Sequence, residues 1–218
     1  LALSWADEML LTSGLSNDQL LRAKSIYDIM RTELMSGQYL DLLEQVRGGI
    51  THERAETVIR FKSAKYTIER PLHLGAAIAG ANPELNQVLS RYGLALGEAF
   101  QLRDDLLGVF GDSSVTGKPA GDDLREGKQT MLIAFANTNA NVEDKKYLSE
   151  NLGDPDLSSD TITKLQGILV SCGAQDFVEN RISDYLAKSL SALDSLSSAS
   201  EPKSALTELA ILATKRTA

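Results

Sequence analysis

The sequence predicts an all-α protein. Only five prolines occur in 218 residues, and apolar residues recur at the 3.6-residue period of a helix over long stretches. Cap-forming and helix-ending residues stand at the ends of those stretches. A first apolar segment runs from Leu1 to about Thr12 and ends near Gly14. Its opening, Leu1-Ala2-Leu3-Ser4-Trp5-Ala6, reads as the middle of an apolar helix, with Trp5 expected in the core. Ser16 with Gln19 forms a capping box and opens a helix to about Val46, with Leu20, Ala23, Tyr27, Met30 and Leu34 on one stripe. Gly48-Gly49 ends it. Thr51 caps the next helix, which Pro71 is expected to kink or interrupt. The run Gly75 to Gly80 reads as a small-residue face for close packing. Asn82-Pro83 starts a long central helix to Phe110.

Gly111 to Gly127 reads as the main loop, with little apolar content to hold it down. Helix resumes from Gln129 to Asn137. A polar stretch follows to Asp160, with a short helix near Glu143 to Asn151. Thr161–Val170, Ala174 to about Leu196 and Lys203–Lys215 close the pattern. Ser195–Ser200 is a connection and not an inter-domain linker.

Hydrophobic residues make up 43% of the chain and charged ones 24%, the balance of a soluble globular protein. A net charge of −8 argues against nucleic-acid binding, which needs a basic footprint. One cysteine, Cys172, makes no internal disulfide and fits a reducing cytoplasm. One Cys and two His fall short of a structural zinc site. No apolar run approaches the ~18 residues of a membrane span, and no secretory signal is seen.

The chemistry concentrates in FQLRDDLLGVFGDSSVTGKPAGDDLREGK, Phe100 to Lys128. On a helix, Gly97, Glu98, Gln101, Asp104, Asp105 and Gly108 share one face, and the other faces are largely apolar, with Arg91 and Arg103 the main exceptions. Asp is almost never buried unpaired, and two neighbouring carboxylates repel. A hard divalent cation, completed by phosphate oxygens, resolves both problems; solvation, or neutralisation by Arg103 and Arg125, is the plainer alternative. Lys118, in Thr116-Gly-Lys-Pro, superficially resembles a phosphate-binding P-loop, but Gly111 and Gly117 are one residue too far apart and Pro119 stands where Ser or Thr would hold magnesium. Lys118 is left as a point charge suited to diphosphate. Lys62-Ser63, flanked by Arg60 and Lys65, makes a basic helix face that on its own reads as solvated. Gln38 and Asp41 share a face and alone say little. His52 reads as a surface residue near a helix start, His73 as packed after Pro71, and Cys172 as a small core residue.

Phe100-Gln101-Leu102-Arg103-Asp104-Asp105-Leu106-Leu107 resembles the second aspartate-rich motif of the trans-type polyprenyl diphosphate synthases, the farnesyl and geranylgeranyl diphosphate synthases among them. The likeness continues through Gly111-Asp112, Thr116-Gly117-Lys118, Gly121-Asp122-Asp123-Leu124 and Glu126 to Thr130. Lys62-Ser63 resembles the family's Lys-Thr pair, and Glu69 to Gly75 resembles actinobacterial members.

The resemblance implies an all-α, isoprenoid-synthase-type helical bundle around a deep apolar cavity, incomplete in this chain. Residues 1–218 would be the C-terminal portion of a single domain. It implies a Mg²⁺-dependent prenyltransferase that joins an allylic diphosphate to isopentenyl diphosphate, cytoplasmic and homodimeric. Asp104 and Asp105 would hold metal. Lys62, Lys118 and Lys128 would contact the allylic diphosphate, Gln101 and Ser63 would assist by hydrogen bonds, and Gln38 would shape the cavity. Gly108 stands where the motif's third aspartate belongs, and the first aspartate-rich motif is absent from the sequence. A terpene cyclase of the same fold and a non-catalytic regulatory subunit are the alternatives; the Thr116-Gly-Lys118 and Gly121-Asp-Asp-Leu124 pattern argues against the first, the retained lysines against the second.

Overall fold

The computed structural model describes residues 1–112, 117, 119, 121–196 and 200–216. Among these there are helices and no strands. Helix α1 is Ala2–Leu11 and α2 is Asn17–Arg47. The Ser16–Gln19 capping box is present in both directions, so two backbone donors at the start of α2 are satisfied locally. α1 buries none of its residues. It lies along α2, tied by an Arg31–Asp7 ion pair of 2.6 Å. Trp5 is therefore 58% exposed and not a core residue as the sequence suggested. A helix that leans on a single neighbour cannot cover its far side.

Next come α3 (His52–Val58), an eleven-residue π-wound segment (Ile59–Glu69) and α4 (Arg70–Ala79). The junction residues are helical, so the three run on as one rod, and Thr51 caps its start. Pro71 does not interrupt it: the residues on both sides are helical, and Pro71 falls in the first α-turn after the π segment. Just before it, the Arg70 N–H donates to the Lys65 carbonyl five residues back, the bonding of the wider winding.

Helix α5 (Pro83–Phe110), capped by Asn82, is the central strut. It packs mainly against the π segment and α10 (Ala174–Asp194). The close helix contacts are made at Gly97 and Gly37 and not at Gly75 or Gly80, beside which an added Cβ would meet nothing within 4 Å. A Cβ at Gly97 would lie 2.5 Å from the Ala64 Cα, and one at Gly37 would lie 2.3 Å from the Lys62 amide nitrogen. These two contacts flank Lys62 and Ser63; a third, at Gly93, lies against the Glu69 backbone.

The remaining helices are α6 (Asp122–Arg125), α7 (Met131–Asn139), α8 (Val142–Asn151), α9 (Ser159–Ser171) and α11 (Ser200–Lys215). The larger core joins α5, α7, α9 and α10 through Leu102, Leu106, Leu132, Leu165, Leu169 and Val178. A smaller one joins Tyr92, Leu96, Leu193 and Ala210, with the Tyr92 hydroxyl donating to the Leu206 carbonyl at 2.7 Å. Arg103 is fixed by two 2.7 Å bonds to Glu179 on α10 and one of 2.8 Å to the Thr214 carbonyl. It is thus committed to joining helices.

Two further expectations change. The end of the loop expected over Gly111–Gly127 is anchored: from residue 121 on it carries α6, whose Leu124 is 1% exposed. His52 is not a surface residue: it is half-buried, stacked on Phe177 at 5.3 Å and Phe135 at 5.9 Å. His73 is buried as expected, with Ser90 at 3.0 Å. Among the described residues no helix is long and apolar enough to cross a membrane.

Candidate functional site

A cleft of about 160 Å³ opens where the start of the helical rod, α5 and the segment before α7 meet. Its apolar wall is Ala55, Val58, Ile59 and Met131. The other walls carry Asp41, Lys62, Ser63, Gln101, Asp104, Asp105, Lys128, Gln129 and Thr130. Six of the residues singled out in the sequence, from three separate stretches, are thereby brought together: Lys62, Ser63, Gln101, Asp104, Asp105 and Lys128. Lys118 lies outside the described residues. Gln38 is exposed and does not line the cleft; Asp41, one turn further along α2, does.

The polar groups are wired to one another. Ser63 donates to the Gln101 side-chain oxygen at 2.6 Å, and the Gln101 amide nitrogen donates to Asp105 Oδ1 at 2.8 Å. This chain orients Asp105 across two helices. Lys62 Nζ donates to Asp41 Oδ2 at 2.6 Å. Lys128 donates to Asp123, with Glu126 at 3.1 Å beside it. Asp104 accepts from Arg216 at 2.8 Å, and that guanidinium lies over the Phe100 ring at 4.1 Å. No site role was read from the sequence for Asp41, Asp123 or Arg216. Arg216 is 112 residues from Asp104 and carries no local pattern, whereas the Gly-Asp-Asp-Leu run around Asp123 was noticed and given no role.

Asp105 is 5% exposed. Burial is the main reason its pKa is pushed up to about 7; the charges of Asp123 and Asp104 add to it, and the Gln101 bond and Lys128 pull the other way. For Lys128, burial works against the charge, but the Asp123 hydrogen bond and charge outweigh it and hold its pKa up. Two further oxygens, Gln129 Oε1 and Thr130 Oγ1, are buried at the cleft without a hydrogen-bond partner.

This donor set fits magnesium. Among the described residues no three His, Cys, Asp or Glu side chains form a metal cage. Magnesium needs none: it is commonly held by one or two carboxylates plus substrate phosphates and water. Asp104 and Asp105 supply hard oxygens, and Asp105 is a buried carboxylate short of positive charge.

The helical bundle thus sets paired aspartates and two lysines in one cleft. The chain belongs to the polyprenyl synthetase family, whose model matches residues 2–169. It is 33% identical over 175 residues to the geranylfarnesyl diphosphate synthase of Aeropyrum pernix, covering 80% of this chain and 54% of that protein. It is 34% identical over 157 residues to the geranylgeranyl diphosphate synthase of Saccharolobus solfataricus, covering 72% and 47%. Its fold superposes on the geranylgeranyl pyrophosphate synthase of Corynebacterium glutamicum, solved with isoprenyl diphosphate and magnesium, with a TM-score of 0.96 at 45% identity, over 99% of this chain and 61% of that one. The chain thus spans about half the length of these curated relatives.

Proposed function

We propose that the protein is a magnesium-dependent prenyltransferase that condenses an allylic diphosphate with isopentenyl diphosphate to give a longer isoprenoid diphosphate, of geranylgeranyl or similar length. The observation that carries this reading is the convergence of Asp104 and Asp105 with Lys62 and Lys128 in one cleft. Residues 1–218 are read as the C-terminal portion of a single catalytic domain.

In this reading Lys62 and Lys128 bind the diphosphate as point charges and stabilise the negative charge that grows on it as the allylic C–O bond breaks. Asp104 and Asp105 would hold magnesium, which when bound neutralises the departing diphosphate. Gln101, fixed by Ser63, keeps Asp105 in place. Val58, Ile59 and Met131 keep water from the allylic cation on one side. Lys118 is assigned to the same diphosphate. The bundle would be a cytoplasmic homodimer. Supporting this, α2 leaves Met35, Tyr39, Leu42 and Val46 at least half exposed, and apolar faces of this kind mark interfaces.

The test is prenyl transfer by the complete polypeptide, with isopentenyl diphosphate and allylic diphosphates of several lengths, in Mg²⁺ or in chelator. Magnesium-dependent elongated products, lost in Asp104→Ala, are expected. Cyclised products would replace the reading with a terpene cyclase, and no product with a regulatory subunit.

A further inference from the structure

Gly108 sits one turn beyond Asp104 and Asp105, where the aspartate-rich motif would carry its third carboxylate. The structure gives a reason for the glycine. A Cβ at Gly108 would lie 2.1 Å from Asp123 Oδ2 and 2.3 Å from its Cγ. Any side chain at 108 would occupy the space that the Asp123 carboxylate fills.

Asp123 is held there firmly. It is 5% exposed, in a helix whose Leu124 is anchored in the core. The Leu124 carbonyl accepts from the Gly153 N–H at 2.9 Å. The chain then folds back, so that the Lys128 N–H donates to the Asp123 carbonyl at 3.0 Å while the Lys128 ammonium donates to the Asp123 carboxylate. Asp123 does not line the cleft, but Lys128 does. Beside Lys128, Thr130 is 8% exposed and its Oγ1 has no partner. A buried hydroxyl left open at a cleft is unusual, and it points to a ligand oxygen.

We propose that Asp123 is a positioning residue for diphosphate binding. Seated against Gly108, it holds the Lys128 ammonium at the cleft, where a long flexible side chain would otherwise extend into water. Glycine at 108 is the condition for that seat, so position 108 serves the diphosphate through Lys128. This inference rests on the diphosphate reading above.

The experiment is calorimetric titration of inorganic pyrophosphate with Mg²⁺ into the complete polypeptide, for wild type, Asp123→Asn, Asp123→Ala, Gly108→Ala and Gly108→Ala with Asp123→Ala. Asp123→Asn keeps size and removes charge, and circular dichroism checks that each variant folds. Asp123→Asn is expected to weaken binding roughly tenfold, the scale of a lost charge-assisted hydrogen bond. Gly108→Ala is expected to weaken it comparably in wild type and less than about twofold when Asp123 is already alanine, because the clash is then gone. A merely structural role would not produce that coupling in affinity. Binding by Asp123→Asn as tight as wild type, or tighter, would overturn the inference and leave the diphosphate reading standing. So would a Gly108→Ala loss undiminished in the double variant. Failure of the wild type itself to bind would overturn both.

Discussion

The two longest helices, α2 and α5, differ more in what surrounds them than in what they contain. Of the 28 residues of α5, thirteen are buried, whereas only four of the 31 in α2 are. α5 is wrapped by the π segment, α10, α11 and α6; α2 packs against the helical rod. The contrast reaches the charges. Glu33 on α2 also loses water, which alone would raise its pKa, but hydrogen bonds from Arg70 and Lys65 outweigh this and hold it low. Asp105 on α5 has the same loss and, among the described residues, no cation hydrogen-bonded to it, so it is driven the other way. Enclosure raises a carboxylate's pKa unless cations bonded to it outweigh the lost water.

Four experiments test this contrast. Asp105→Ala on α5 should cut magnesium-dependent prenyl transfer by about 10²–10³-fold, the usual loss when a stabiliser of developing charge is removed; Glu33→Gln should change stability and leave the turnover number within a few fold. Steady-state kinetics and chemical denaturation separate the two. Leu102→Ala, at a position 1% exposed, should cost ~2–5 kcal/mol. Leu42→Ala on α2, 53% exposed, should cost under ~0.5 kcal/mol in the monomer. Urea unfolding of both tests whether enclosure, and not apolar character, carries stability.

The third concerns pH. Asp105 binds its proton more tightly when folded, with a pKa of about 7 against the ordinary 3.8. Between those values the unfolded chain releases a proton that the folded one keeps, so stability attributable to Asp105 is full below about pH 4, falls as pH rises, and is lost above about 7. Without metal, Asp105→Asn should therefore be the more stable protein at pH 8, by on the order of 2 kcal/mol, and the difference should shrink at pH 5. Unfolding at the two pH values measures it. The smallest effect is expected at the start of α2, where Ser16→Ala should cost ~1 kcal/mol by removing the capping box.

What the sequence revealed and what it concealed divide along physical range. Caps at Ser16, Thr51 and Asn82 are local bonds between near neighbours, and they put the helix starts in place. The aspartates, Lys62 and Lys128 were legible because charged residues in apolar helices, or in a recognisable motif, stand out. Trp5 and His52 were misread because burial depends on what lies across from a side chain: α1 has one flank open, while His52 meets two phenylalanines from α7 and α10. Asp41, Asp123 and Arg216 acquire meaning only from partners brought together by the fold. Pro71 was expected to kink or interrupt the rod; helix runs through it, carried by a π winding that no sequence period announced.

That winding has a consequence for how the gene can change. In an α-helix each residue turns the rod by about 100°. The π segment Ile59–Glu69 carries more residues per turn, so Lys62 and Ser63 face the cleft while Arg70 still reaches Glu33 and His73 still reaches Ser90. Deleting one codon between these two groups would relax the winding toward ordinary helix and rotate one group relative to the other. The segment is a phase adjuster between the cleft end of the rod and its structural end, and it makes the rod intolerant of a change in length there.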